Sequence, residues 1–242
     1  MQRRRGVADE RAGVAGRTYA GGRSTAPRRW ARRAAAPRTT ALSGGGRARH
    51  AVGMPSLYDL KPAFQRLLEP LVARVVARGS GPDPLTWFAL LVSAGAGAAT
   101  LAGGGWLWWV PVLLLGRMAC NAAAGMVARR TGRTTRHGAV LNETGDVVSD
   151  WLCYMPWVAH AGAWSVLAFV AVATLTEVVA LAAAAAGGVR SYAGPLGKAD
   201  RAAAIAALAV VGAVATVPWW AFAALVALGA LTVVRRWREG LA

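Results

Sequence analysis

The feature that most constrains the fold is a set of acidic residues within a chain dominated by apolar segments. The stretch from Cys120 to Asp150 joins the end of one apolar segment to the start of another through a short basic connection. An ionisable side chain near the centre of a bilayer costs about 2.5–3.5 kcal/mol even on insertion-based scales. Glu143, Asp146 and Asp150 are spaced i, i+3 and i+7, so they share one face of a helix. We therefore expect this face to line a protected polar cavity.

Composition favours a membrane protein. The 242 residues are 55% hydrophobic and include 11 Trp, which is unusual for a soluble protein. Cys120 and Cys153 both lie in apolar stretches without CxxC spacing, which argues against a disulfide framework or a zinc site. We interpret both cysteines as small buried apolar residues.

The formal charge of +17 is concentrated in residues 1–53, which hold 13 Arg and only two acids, Asp9 and Glu10. This tail is rich in Ala, Gly, Thr and Pro, and its composition predicts disorder because it cannot bury enough apolar surface. Binding to nucleic acid or to anionic lipid headgroups is the functional alternative. A third interpretation is that translation starts at Met54. No apolar region follows the arginines, so the tail does not resemble a secretory signal.

Residues 54–82 show helical periodicity and are predicted to form an amphipathic helix at a membrane surface. Its end is indicated by the sequence Gly79-Ser80-Gly81-Pro82. A packed soluble helix would give the same pattern. The recurring apolar residues are Leu57, Leu60, Phe64, Leu67, Leu68, Leu71, Val72, Val75 and Val76.

Residues 83–242 are predicted to form an all-α membrane domain of six transmembrane helices. Most of the segments approach the ~20 residues needed to cross a bilayer, and the fifth is short and Ala-rich. Their approximate bounds are 84–102, 106–128, 139–159, 164–186, 201–216 and 218–234.

The distribution of charge predicts the orientation of these helices. The turns near 103–105, 160–163 and 216–217 contain no Lys or Arg, whereas every basic residue after Met54 except Arg117 can be placed at the other ends. By the positive-inside rule both termini are cytoplasmic, in a multi-pass protein of the inner membrane whose active site faces the cytoplasm. The opposite ends carry a predicted aromatic belt of Trp106, Trp108, Trp109, Trp164, Trp219 and Trp220.

With this topology the acidic face meets polar groups from neighbouring segments. Glu143, Asp146, Asp150 and Glu177 are expected to share one internal site, which requires a cation or a basic partner among them. The basic loop that holds Arg190, Lys198 and Arg201 would lie at its mouth, an arrangement suited to substrates that bear phosphate. The alternative for the basic loops, above all for Arg129–Arg136, is that their charges only set topology.

The spacing of these residues resembles the signature of the CDP-alcohol phosphatidyltransferase family, Asp-x2-Asp-Gly-x2-Ala-Arg-x8-Gly-x3-Asp-x3-Asp. Every interval is kept, but only the last aspartate is retained, and Ala124 in particular offers no ligand. The chain resembles a variant branch of the family in which Asn142 and Glu143 are normal. The matching residues are Asn121, Ala124, Gly125, Ala128, Arg129, Gly138, Asn142 and Asp146.

The resemblance implies transfer of a phosphatidyl group from a CDP-lipid to an alcohol, with release of CMP. It implies a Mg²⁺ or Mn²⁺ site, for which Asp150 and Glu143 could replace lost ligands. Asp146, or Asp150 if the site has shifted, would deprotonate the acceptor hydroxyl. The predicted metal ligands are Asp146, Asp150, Asn121, Asn142 and Glu143, and the predicted substrate-binding residues are Asn121, Gly125, Ala128, Arg129, Gly138, Arg190, Lys198 and Arg201.

Two other functional classes compete with the enzyme. One is a pseudoenzyme of the same fold that binds lipid or nucleotide or partners an active subunit. The other is a small channel or transporter, which the lack of inverted-repeat symmetry disfavours. The expected partners are a CDP-activated lipid, an alcohol acceptor and the bilayer; a homodimer is left open, and nucleic acid is not expected.

Overall fold

The computed structural model describes residues 60–242, and these fold as α-helices joined by short turns. The predicted tail 1–53 and the first residues of the predicted amphipathic helix lie outside this part of the chain. Short 3₁₀ helices, Gly104–Trp108 and Met155–Trp157, precede α3 and α5. The helices are α1 (Lys61–Ala77), α2 (Asp83–Ala102), α3 (Trp109–Thr131), α4 (Arg136–Tyr154), α5 (Val158–Ala161), α6 (Ala163–Ala185), α7 (Lys198–Val214) and α8 (Trp219–Leu241).

Local signals set the ends of the helices that carry the acidic stretch. Helix α3 ends at Gly132, whose φ of 66° places it in the left-handed region that glycine adopts without a steric penalty. Three residues later Thr135 begins α4, and its side-chain hydroxyl accepts a hydrogen bond of 2.9 Å from the backbone N–H of Gly138. The chain therefore reverses within a few residues, and α2 packs against both α3 and α4.

Four helical stretches are long and apolar enough to cross a membrane, and their exposed faces carry large apolar side chains. The prediction of an all-helical membrane protein is thus confirmed, whereas the number of helices that cross the membrane stays a prediction. Helix α4 carries Arg136, Glu143, Asp146 and Asp150, and α7 has only 17 residues, which explains why neither has the composition and length of a simple span. The four stretches are Asp83–Ala102, Gly104–Thr131, Ala163–Ala185 and Trp219–Leu241.

Contacts between turns define two ends of the helical bundle. At one end His160 Nε2 lies 2.6 Å from the carbonyl oxygen of Thr100, which joins the end of α2 to α5. At the other end the Arg133 side chain donates a hydrogen bond of 3.1 Å to the Gly79 carbonyl oxygen. At the same end, the backbone N–H of Val189 donates a hydrogen bond of 3.0 Å to the carbonyl oxygen of Gly240. Helices α2, α3, α4, α6, α7 and α8 therefore run alternately between a tryptophan-rich end and a basic end.

Helix α1 packs along α3 near the basic end. Leu68 and Val72 are buried in a small apolar cluster with Ala123, Met126 and Val127 of α3. About 100° further around the helix, Leu67 (73%) and Leu71 (42%) are exposed. Helix α1 therefore also has apolar residues away from α3, which suits a membrane surface.

Small residues allow the helices to approach closely. A Cβ atom added to Gly97 of α2 would collide with the backbone carbonyl of Leu152 in α4. Between α6 and α8, a Cβ on Gly229 would come within 2.5 Å of the Val172 side chain. Because lipid tails are as apolar as the helices, close packing of this kind contributes much of the association energy within a membrane.

We expect Gly97→Ala to destabilise the bundle by about 1–3 kcal/mol, because the methyl group has no room against the Leu152 carbonyl. Gly95→Ala is the matched control, since a methyl group at that position would have nothing within 4 Å and alanine is the better helix former. Thermal unfolding of the purified protein in detergent measures both. Equal midpoints for the two variants would show that this crossing is not tightly packed.

Candidate functional site

Helix α3 supplies two polar side chains that face α4. Arg117 and Asn121 are four residues apart and so lie on one face of α3. The Arg117 guanidinium donates through Nη2 to Asp150 Oδ1 (2.5 Å) and to the backbone carbonyl of Asp146 (3.2 Å). Asn121 Nδ2 donates to Asp146 Oδ1 at 2.6 Å. The two aspartates are thereby held on the buried side of α4.

The other oxygen of the Asp146 carboxylate, Oδ2, accepts a hydrogen bond from the ammonium of Lys198. Lys198 is the first residue of α7, and the helix start is fixed because the Gly197 N–H donates to Asp200 Oδ2 at 3.0 Å. The Lys198 side chain remains 33% exposed. Lys198 thus connects a buried acid to the basic end of the bundle.

Arg201 lies one turn further along α7 and is completely enclosed, with an exposure of 0%. Its Nη2 donates to Asp150 Oδ2 (3.0 Å) and to Glu177 Oε1 (2.9 Å). Its Nη1 donates to the hydroxyl of Thr176 at 2.9 Å. One guanidinium therefore ties together α4, α6 and α7.

Arg236 extends this arrangement to α8. Its Nη1 donates to the Thr176 carbonyl oxygen at 2.9 Å and to Glu177 Oε1 at 3.3 Å. Its Nε donates to the carbonyl oxygen of Ala193 at 3.3 Å. The loop between α6 and α7 is thereby fixed against the C-terminal helix.

Arg190, in the same loop, closes the arrangement toward solvent. It binds Glu143 through two hydrogen bonds, of 2.6 and 2.8 Å, and lies 5.2 Å from the centre of the Tyr192 ring. The hydrogen bonds to Glu143 raise the pKa of the Arg190 guanidinium above its usual value, so it stays charged. Its side chain is 26% exposed.

We name these side chains the ionic cluster. Five cations surround four carboxylates, and their contacts connect helices α3, α4, α6, α7 and α8. The four acids expected to share one internal site are thus brought together, with basic side chains as their partners. The members are Arg117, Glu143, Asp146, Asp150, Glu177, Arg190, Lys198, Arg201 and Arg236.

The remaining predicted site residues lie on α3 and α4, and Arg129 lies apart from the cluster. Arg129 lines a cavity of about 480 Å³ between α1 and α3, together with Arg66 and Glu69. Ala124 is buried, and Asn142 is half-buried one turn before Asp146. Gly125 and Ala128 are half-buried on α3, and Gly138 lies in the first turn of α4.

The donor set does not fit a divalent cation. The Asp146 carboxylate is engaged by Asn121 and Lys198, and the Asp150 carboxylate by two guanidiniums. Mg²⁺ requires near-octahedral oxygen ligands, and protonated nitrogen atoms provide none. Among residues 60–242, no three His, Cys, Asp or Glu side chains are arranged to hold a metal ion.

Sequence reasoning gave Arg117 and Arg236 no role in the site. The signal for Arg117 was present, because it is the one basic residue of the helical part that could not be placed at the basic end. A lone cation inside an apolar helix requires an internal partner. For Arg236 the signal was its spacing on one stripe of α8 with Gly229, Thr232 and Gly240, all of which are buried.

The fold and the site define an α-helical membrane protein with a buried ionic cluster. No protein-family model matches the sequence. Inner membrane protein YnbA of Escherichia coli K12 is 40% identical over 151 residues, which cover 61% of this chain and 75% of YnbA. The chain therefore belongs to the same family as YnbA.

Other relatives have named activities. A phosphatidylinositol phosphate synthase of Streptomyces avermitilis is 34% identical over 119 residues, 47% of this chain and only 48% of the synthase. Phosphatidylinositol phosphate synthases are members of the CDP-alcohol phosphatidyltransferase family, the family whose signature the motif spacing of this chain resembles.

Solved structures share the fold. The Mycobacterium tuberculosis phosphatidylinositol phosphate synthase PgsA1 with CDP-DAG bound superposes with a TM-score of 0.61 at 22% identity, covering 72% of this chain and 94% of that protein. The same synthase in complex with manganese and citrate gives a TM-score of 0.60, with coverage of 71% and 87%.

We expect Arg201→Met to destabilise the protein by about 3–5 kcal/mol, because it leaves Asp150 and Glu177 short of their shared cation inside the bundle. Arg238→Met, at an exposed position on α8, should have little effect. Thermal unfolding in detergent checks the pair. A small loss for Arg201→Met would mean that water reaches the cluster and solvates its acids.

Proposed function

We propose that this protein transfers a phosphatidyl group from a CDP-linked lipid to an alcohol and releases CMP, a step of phospholipid biosynthesis. The observation that carries the proposal is the contact of Asp146 with Asn121 and Lys198. It brings together two positions of the transferase motif and the basic loop. Kinship with synthases of this family and a fold shared with a CDP-DAG-bound structure support the same activity.

The three predicted phosphate-binding residues, one in the α6–α7 loop and two in the first turn of α7, differ in their exposure. Lys198 and Arg190 are partly exposed at the basic end, so their cationic groups can meet a phosphate from solvent. Arg201 is enclosed and already binds two acids and Thr176. We therefore assign Arg201 to positioning Asp150 and Glu177.

Asp146 is the better candidate for the general base. Both oxygens of Asp150 are held by enclosed guanidiniums, which stabilise its charged form and make it a poor proton acceptor. Asp146 shares one oxygen with the partly exposed Lys198. In the proposed step the acceptor oxygen forms a bond to the phosphatidyl phosphorus, the bond from phosphorus to the CMP oxygen breaks, and the acceptor proton passes to Asp146.

The acceptor is proposed by analogy with the named relatives. Phosphatidylinositol phosphate synthases point to a phosphorylated inositol, which would suit the cations of Lys198 and Arg190. The family resemblance and the manganese-bound neighbour predict use of Mg²⁺ or Mn²⁺, whereas the carboxylates of this chain are already engaged by nitrogen donors.

We further propose that six helices cross the inner membrane, with both termini and the mouth of the ionic cluster on the cytoplasmic side. The alternation of a tryptophan-rich end and a basic end supports this topology, as does kinship with an inner membrane protein. Helices α4 and α7 can cross despite their charges because those charges are paired inside the bundle.

The activity test is release of CMP from a CDP-lipid by the purified protein, with a panel of alcohols that includes phosphorylated inositol. We expect turnover with one acceptor, and a loss of at least about 100-fold for Asp146→Asn because the base is removed. Asp83→Asn, which alters an acid outside the ionic cluster, should retain activity. If no acceptor leads to release of CMP, the result would favour the pseudoenzyme. Unchanged activity of Asp146→Asn would show that another group acts as the base.

The topology test uses single cysteines in a background without Cys120 and Cys153. Ala163→Cys and Thr134→Cys both occupy exposed positions, at the tryptophan-rich and the basic end respectively. In intact cells we expect a membrane-impermeant maleimide applied outside the inner membrane to label position 163 and to leave position 134 unlabelled. The reverse pattern would invert the proposed orientation.

A further inference from the structure

We propose that the Lys198 ammonium takes, in this chain, the place of a divalent cation beside Asp146, so that a nucleoside diphosphate binds here without a metal ion. The inference rests on the proposed function, since it concerns how the same site holds the diphosphate. It gives the departures from the motif and the contacts of Lys198 a common physical reason.

The motif positions have lost most of their charged ligands. Three of the four carry Asn121, Ala124 and Asn142, none of which is charged. Ala124 is buried and has no donor atom, and Asn121 directs its amide nitrogen to Asp146. One remaining carboxylate is a weak basis for holding Mg²⁺ or Mn²⁺, whose affinity depends on the number and charge of the oxygen ligands.

The remaining carboxylate already has a cationic occupant. The Lys198 ammonium donates a hydrogen bond from Nζ to Asp146 Oδ2. A divalent ion on that oxygen would meet a positive charge at close range, and in a site shielded from water this repulsion is strong. While the ammonium is bound to Asp146 Oδ2, it therefore disfavours a metal ion on that oxygen.

The balance of charge favours an anion over a further cation. The ionic cluster already has five cations for four carboxylates, and its two partly exposed cations lie at the basic end. A further dication would increase an uncompensated positive charge, whereas a diphosphate anion would neutralise it. Within the ionic cluster as defined, the charge balance therefore favours a diphosphate anion over a further cation.

Lys198 is also built to change partners. Its backbone is fixed at the start of α7 by the Gly197–Asp200 hydrogen bond, while its flexible four-carbon stem ends in a rotatable ammonium. When a diphosphate attracts this ammonium, Asp146 Oδ2 loses its hydrogen-bond donor and can accept a proton. Binding of the diphosphate would in this way prepare the base.

The first arm of the test measures Mn²⁺ binding to the purified full-length protein by electron paramagnetic resonance. We expect Lys198→Met to bind Mn²⁺ at least about tenfold more tightly than the unmodified protein, because it frees Asp146. Lys61→Met, the same change at an exposed position of α1, should bind Mn²⁺ no more tightly than the unmodified protein. The double variant Lys198→Met with Asp146→Asn should lose the gain.

The double variant also guards against misfolding, because it removes both charges of the pair and leaves no unpaired carboxylate. Tight stoichiometric binding of Mn²⁺ by the unmodified protein would overturn the proposal, because Lys198 would then not keep the ion from Asp146. That measurement on the unmodified protein needs no variant to fold.

The second arm measures binding of CDP by calorimetry, with EDTA or with Mn²⁺. We expect affinities within about twofold of each other in the two conditions, a loss of at least about tenfold for Lys198→Met, and retention of most binding in Lys198→Arg. Binding of CDP only with Mn²⁺ would overturn the role of Lys198 and leave the transferase proposal standing. No binding of CDP under either condition would instead count against the proposed function, while the Mn²⁺ arm still decides the role of Lys198.

Discussion

The structure depends on the pairing of Asp150 with two enclosed guanidiniums, those of Arg117 and Arg201. A single carboxylate at this depth would be too costly to keep charged, and so would either arginine. Together they compensate one another's charge and hold α3, α4 and α7 in one arrangement, although the buried Nε atoms of both arginines have no hydrogen-bond partner. Glu177 of α6 is paired in the same way with Arg201, and its ion pair with Arg236 connects α6 to α8. The charged residues of the site therefore also hold the helices of the bundle together.

This arrangement is well suited to helices in lipid. Apolar side chains gain little by leaving lipid for a protein interior, so close backbone packing and polar contacts must hold the helices together. Gly97 and Gly229 provide the close approach at the α2–α4 and α6–α8 crossings. The aromatic rings of Trp157, Phe169 and Phe222 fill the core, with centroids 5.6–5.8 Å apart. The charged pairs then fix which faces of the helices meet.

Depth separates two kinds of basic residue within the ionic cluster. Arg117, Arg201 and Arg236 are enclosed and have acids or carbonyl oxygens as permanent partners. Lys198 and Arg190 reach the surface and can exchange an internal acid for a phosphate. The first kind fixes the geometry of the acids, and the second is placed to meet an anion from solvent. In the proposed site Lys198 supplies the positive charge that a metal ion would otherwise bring.

The sequence by itself determined the helical segments and which of their ends are basic or rich in tryptophan. It also determined that Glu143, Asp146 and Asp150 share one helix face, because hydropathy and spacing along one helix are local properties. It also predicted that Glu177 would join them. Only the tertiary structure decided which cation meets which acid, since that depends on the order in which helices pack. Arg201, which its loop position suggested as a phosphate ligand, is enclosed between Asp150 and Glu177, and Arg117 and Arg236 enter the site from helices whose local patterns indicated only span and topology.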